Sequence, residues 1–181
     1  MNRIEQIREE AEKIYGERFK ESCIGIQKEL ETQWDILESE IVNIIGQLMA
    51  DADEMNRKGV KGIGKYLIIS HLYSSFLAGS YEYRIDILDE DMYMDIQECS
   101  AYWTPSILIP YIEKDYEYLE KVMREKFIRL REYEIKEIER NYQFYYHSLV
   151  YEIFLNIKKS ADLFRNYTLL YGEYMGGAIM V

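Results

Sequence analysis

The sequence is short of residues that staple a chain or ligate a metal. It has two cysteines, Cys23 and Cys99, and two histidines, His71 and His147, in 181 residues. Two thiols exclude a disulfide scaffold and a four-cysteine zinc site, and two imidazoles exclude a multi-histidine metal site. Prolines are equally few, Pro105 and Pro110, and there is no low-complexity linker or internal repeat. Basic charge is in deficit: 22 Lys and Arg stand against 33 Asp and Glu, a formal net charge of −11. Such a field repels anionic membrane and nucleic acid, because a duplex-binding domain must neutralise phosphates. The longest uncharged run, 66–81, carries a histidine and five Ser or Gly positions. It falls short of the roughly 20 apolar residues of a membrane span. The start, MNRIEQIREEAEKIYGERF, is charged from residue 3 and lacks the apolar stretch of a secretory leader. The expected compartment is the cytoplasm, with both thiols free and reduced.

What is present suits a folded core. Hydrophobic residues make up 48% and charged residues 30%, a globular composition rather than that of a disordered chain. The length predicts one domain over 1–181. Isoleucine (24) and tyrosine (18) are abundant while alanine (7) is scarce. AT-rich codons account for that bias, and a tyrosine-lined pocket is the functional alternative.

Periodicity predicts a mainly α fold, a bundle of about five to six helices with one small antiparallel β-hairpin near 81–97. Residues 2–20 read as a charged helix with Ile4, Ile7, Ala11, Ile14 and Tyr15 on one side. Over 27–57, Leu30, Trp34, Leu37, Ile41, Ile44, Leu48 and Met55 follow helical spacing. Val42 and Ile45 widen that stripe beyond a coiled-coil seam. Gly59, Gly62 and Gly64 then break the chain. The apolar run 65–78 is expected to be a central helix stopped by Gly79. Thr104-Pro105 reads as an N-cap and first helical position. Residues 111–171 hold no proline or glycine, and helix breaks are expected at Arg140-Asn141 and at Lys158-Lys159-Ser160, with Ser160 capping a last helix over 161–171.

From Tyr81 the period changes to two. Tyr81, Tyr83, Ile85 and Ile87 alternate with Glu82, Arg84 and Asp86, and Met92, Met94 and Ile96 alternate with Tyr93, Asp95 and Gln97. A short loop at Asp89-Glu90 would set Ile85 against Met94 and Arg84 against Asp95. An isolated hairpin is marginal in water, and no third strand is evident. A second copy of the chain is therefore expected to supply one, giving a homodimer with a shared sheet. The C-terminal YGEYMGGAIMV either folds back on the core or docks on a partner.

Few residues point to chemistry. The segment RKGVKGIGK, 57–65, sets four cations and three glycines before an expected helix N-terminus, a geometry that turns backbone amides toward an anion. Gly59-x4-Gly64-Lys65 matches the start of a P-loop, but Tyr66 stands where Ser or Thr must ligate magnesium, so an NTPase is rejected. The Gly-Ile-Gly turn, Gly62 to Gly64, resembles that of helix-hairpin-helix modules, which hold a nucleic-acid phosphate. An ordinary turn with solubilising lysines, a phosphate- or carboxylate-binding turn and a nucleic-acid contact all remain open. The acidic stretch 82–98 lacks the ligand spacing of a calcium loop, leaving a solvated turn or a face for a basic partner. His71 is either a hydrogen-bonded core residue or a pocket base. Gln143, His147 and Tyr151 would share a helix face, as packing or as a polar-aromatic lining. No Glu-x-x-His occurs, and no Cys-x-x-Cys marks Cys99 as reactive.

The expected function is a non-catalytic interaction or regulatory protein acting through protein contacts as a homodimer, without cofactor or metal. The alternative is a small-ligand or anion binder, with enzymatic activity left open, using Lys61, Gly62, Gly64, Lys65, His71, His147 and Tyr151. Nucleic acid and membrane are not expected partners.

Overall fold

The computed structural model describes residues 2–181. It corrects the expected bundle: the fold is α+β, with four helices and a five-stranded mixed sheet. The helices are α1 (Arg3–Arg57), α2 (Tyr73–Ala78), α3 (Ile109–Lys126) and α4 (Glu132–Ser160). The strands are β1 (Tyr66–His71), β2 (Tyr83–Leu88), β3 (Ser100–Trp103), β4 (Thr168–Glu173) and β5 (Ala178–Met180), in spatial order β3-β2-β1-β4-β5. Only β1 and β4 run parallel; the other pairs are antiparallel.

Two compact units are distinguishable. One holds the chain through Gln33 together with Ser106–Leu149. It is helical, built from the first part of α1, α3 and the first part of α4. Ile7, Ala11, Tyr15 and Ile26 of α1 are buried there, as are Leu119 and Met123 of α3 and Ile138, Tyr142 and Tyr146 of α4. The expected split of α1 near residue 20 does not occur. Gly25 lies inside the helix, and a Cβ there would sit 2.7 Å from the Tyr111 ring. That glycine serves close approach of α3 rather than a break. The break expected at Arg140-Asn141 is absent too. The chain turns instead at 127–131, where Arg129 takes a left-handed φ of 57°. The Glu134 carboxylate accepts the Arg131 amide at 2.8 Å and so caps the start of α4. Pro110, not Pro105, stands in the first turn of its helix.

The other unit comprises Trp34–Pro105 and Val150–Val181. Here the buried stripe of α1 is Leu37, Ile41, Ile45, Leu48 and Ala52, the drift of a straight 3.6-residue helix rather than a fixed heptad. The run expected as a central helix at 65–78 divides. Residues 66–71 form the middle strand of the sheet, and only 73–78 are helical, ended by Gly79 at φ 74°. A short apolar run buried on both faces is ambiguous between helix and central strand. Ile68 and Ile69 and the glycines before them decide for strand. The expected hairpin is half right. β2 is extended as read, but Met92–Met94 is a single 3-10 turn. β2 pairs instead with β1 and β3: Ile85 lies between Ile69 and Ala101, and Arg84 between Ser70 and Tyr102. α4 ends at Ser160 as expected, but 161–171 is not a helix. It leads into β4, which lies against β1, so the C-terminal segment completes this chain's own sheet. The reason given for a shared sheet, a hairpin without a third strand, is thereby removed.

Alternation divides the sheet into two faces. Leu67, Ile69, Tyr83, Ile85, Ile87, Trp103, Leu169 and Tyr171 share the first and are all buried. Phe154 of α4 meets the Trp103 ring edge-on at 5.5 Å, and the Cys99 thiol donates to the Leu48 carbonyl of α1 at 3.6 Å. The second face carries Ile68, Ser70, Arg84, Asp86, Tyr102 and Met180, with Tyr102 and Met180 exposed.

Candidate interaction site on the open face of the sheet

A cleft of about 350 Å³ lies on the second face. Its floor is Ile68 and Ser70 of β1 with Arg84, Asp86 and Leu88 of β2. One wall is the segment 93–98, and the other is Tyr174 and Met175 at the β4–β5 turn. Arg84 and Asp86 are two apart on one strand and so project from the same face. The Arg84 Nε donates to both Asp86 oxygens, at 2.9 and 3.0 Å, and Nη2 to Oδ1 at 2.8 Å. Nη2 also lies 2.8 Å from Glu98. The guanidinium sits 5.0 Å from the centre of the Tyr174 ring and 5.9 Å from that of Tyr102, within cation–π range. Hydrogen bonding to Asp86 raises the Arg84 pKa despite burial, so this cation is permanent. It is neutralised by carboxylates from two sides.

The wall at 89–98 is held by internal electrostatics. Lys61, buried, ion-pairs with Asp95 and donates to the Gln97 carbonyl at 2.8 Å. Asp95 also accepts the amides of Asp89 and Gln97, at 3.1 and 2.9 Å. Burial pushes the Asp95 carboxyl up, but the Lys61 ammonium and those two amides outweigh it, and the pKa falls below its ordinary value. Asp89 accepts the Gly62 amide at 3.0 Å and the Asp91 amide at 3.0 Å. A Cβ on Gly62 would meet Asp89 Oδ2 at 2.6 Å, so the contact needs glycine. The Gly/Lys turn thus holds two carboxylates of its own chain, Asp95 through Lys61 and Asp89 through the Gly62 amide.

Among the sequence-derived candidates, Lys61, Gly62, Gly64 and Lys65 stand together in this turn, which leads into β1 and not into a helix. Gly64 packs under Ile87 and Tyr167. Lys65 is exposed, with Glu90 at 3.8 Å. His71 and Tyr151 both approach the Tyr171 ring, at 6.4 and 5.6 Å between centroids. Burial lowers the His71 pKa against the raising effect of Glu173. His147, buried on α4, belongs to the helical unit. Arg84, Asp86 and Glu98 fall in the acidic stretch 82–98, read from the sequence as a solvated turn or a face for a basic partner, while Tyr174 and Met175 were missed. Arg84-x-Asp86 was legible as the polar face of a strand, but what overhangs it was not.

The same unit presents an open edge. In the β4–β5 pair, Glu173 donates to the Gly177 carbonyl at 3.2 Å and Val181 to the Leu169 carbonyl at 2.9 Å, with Tyr171 opposite Ile179. Gly177, Ile179 and Val181 thus turn their backbone groups toward β4, and Ala178 and Met180 turn theirs outward. No charged residue follows Glu173, and Ile179 and Met180 are exposed.

The helical unit has a closed polar centre. The fully buried Asp115 accepts Arg18 Nε at 2.6 Å and Ser22 Oγ at 2.7 Å on one oxygen. Its other oxygen accepts the Tyr142 and Tyr146 hydroxyls, each at 2.7 Å. Burial, then the carboxylate, raises both phenol pKa values. With its lone pairs occupied, Asp115 reads as an organiser of the helices rather than a base.

Both cysteines are free, and burial raises both thiol pKa values. Among the described residues no group of three or more His, Cys, Asp or Glu could hold a metal ion, and no helix is long and apolar enough to cross a membrane. No family model matches this chain, and no curated protein or solved structure matches it at a significant level.

Proposed function

We propose that the chain is a non-catalytic interaction or regulatory protein of the cytoplasm that works through protein contacts and pairs with a second copy of itself along β5. The observation that carries this reading is the β5 edge. None of its own side chains is charged, Lys158 of α4 reaching only the Val181 carbonyl at its end, and it exposes Ile179 and Met180 and offers the outward backbone groups of Ala178 and Met180. Natural sheets guard such edges with lysine, proline or a bulge, and 174–180 contains neither lysine nor proline. Antiparallel pairing across a two-fold axis would join two five-stranded sheets into one. The raised thiol pKa values and the fully occupied Asp115 favour contacts over catalysis. An anion site at 57–65 has weaker support, because Lys61 and the Gly62 amide already serve Asp95 and Asp89.

Sedimentation equilibrium over a concentration series tests the pairing. Met180→Pro removes an outward N–H while sparing the bonds to β4, and Ile179→Lys adds a gatekeeper charge. A dimer abolished by either substitution, with circular dichroism unchanged, is the expected result. A wild-type chain that stays monomeric at high micromolar concentration would falsify the self-pairing.

A further inference from the structure

We infer that the cleft over β1 and β2 binds a segment of a partner protein in which a lysine or arginine is flanked by apolar side chains. This rests on the reading that the protein works through contacts, but not on the β5 pairing.

Charge selects the sign of the guest. The cleft lining contains three carboxylates, Asp86, Asp95 and Glu98, against one cation, Arg84. Arg84 is already held by Asp86 and Glu98, and Lys61 beneath the wall is spent on Asp95. An anion would meet no uncommitted cation here. A guest cation meets Glu98, whose Oε1 takes Arg84 and Ser100 while Oε2 receives no hydrogen bond among the described residues. Exposed Glu90 and Asp91 extend the negative field beside it, which accelerates the approach of a basic segment.

The walls select what flanks the cation. Ile96 and Met175 of the lining are 88% and 79% exposed, and Tyr93 and Tyr174 line the walls with them. A water-exposed methionine beside an aromatic ring is an adaptable apolar contact, and exposed apolar side chains on both walls of one cleft mark a contact site. A second copy of this chain is a poor occupant, since like acidic loops would be brought together. A small free cation would leave the apolar rim uncovered.

Fluorescence anisotropy with labelled octapeptides tests the inference. The probes are alternating Leu-Lys, alternating Leu-Glu and alternating Ser-Lys, with spermidine as a competitor. Leu-Lys is expected to bind, and Leu-Glu is not. Glu98→Gln is expected to weaken Leu-Lys about tenfold, the scale of one charge-assisted hydrogen bond. Glu40→Gln, which removes the same charge from an exposed position on α1, should leave it unchanged. Met175→Ser, at an exposed turn, should weaken Leu-Lys and not Ser-Lys. Equal losses with Glu98→Gln and Glu40→Gln would reduce the binding to bulk charge and overturn the proposal. So would absence of Leu-Lys binding, equal affinity for Ser-Lys, or full displacement by stoichiometric spermidine. Because anisotropy reads the cleft and sedimentation reads β5, failure of one proposal leaves the other standing.

Discussion

Asp115 shows how much one side chain organises. Two helices send it four donors, and none of them reaches water through it. Asp115→Asn keeps the shape but removes the charge, leaving the largely buried Arg18 only the exposed Glu21 as counterion. Such a broken pair costs about 3–5 kcal/mol, and Tyr142→Phe, which loses one hydrogen bond, costs about 1 kcal/mol. Urea unfolding monitored by circular dichroism should rank the two in that order. Asp95 makes a different prediction. Its pKa is lower folded than unfolded, so the folded loop favours the carboxylate. That contribution is complete above about pH 4, the unfolded value, and is lost as pH falls through the folded one. Between pH 5 and 2 the melting temperature should fall more steeply in the wild type than in Asp95→Asn. Neither aspartate was identifiable from the sequence as a hub. Asp115 lies in a run of helical charges that reads as a solvated face, and Asp95 was assigned to Arg84 when its partner is Lys61, 34 positions away. Sequence spacing carries local pairings well and distant ones poorly.

At the scale of elements, β5 hangs on a single position of β4. A Cβ on Gly172 would stand 2.1 Å from the Gly177 carbonyl oxygen and 2.7 Å from the Ala178 Cα. Both are backbone atoms with no rotamer to yield. Gly172→Ala should therefore detach β5 while leaving β1–β4 paired. Hydrogen exchange should report lost protection at Tyr171 and Ile179, and sedimentation a monomer. The elements legible in the sequence were those with a long period and distinct ends: the α1 stripe, β2, the Gly79 stop and the end of α4 at Ser160. β1 was mistaken because its short run of apolar residues, Tyr66 to Ile69, satisfies a buried helix as well as a central strand. The turn at 127–131 escaped because FIRLR contains none of the usual breakers; it is fixed by Glu134 reaching back to Arg131. β4 escaped because its pairing partner is β1, far back in the chain, and β5 because it has only β4 to lie against.

On the scale of the whole molecule, the net charge of −11 gives the two proposed contacts opposite responses to salt. Two copies joined at an uncharged edge still repel through their acidic surfaces, and added salt screens that repulsion. The dimer constant should tighten from 50 to 500 mM NaCl, while affinity for the Leu-Lys peptide should weaken. Parallel trends in the two titrations would contradict this assignment of surfaces.

The parallel pairing of β1 with β4 has a consequence for how the protein is made. Leu67, Ile68 and Ile69 emerge from the ribosome roughly a hundred residues before Leu169, Leu170 and Tyr171, against which they finally lie. Throughout that interval the central strand of the sheet has one flank without a mate. Contacts this distant in sequence form late, and a nascent strand waiting in that state is a template for intermolecular stacking. Translation arrested between Ser160 and Thr168 should thus yield chains that aggregate or engage chaperones, and release should follow once the last strands are extruded.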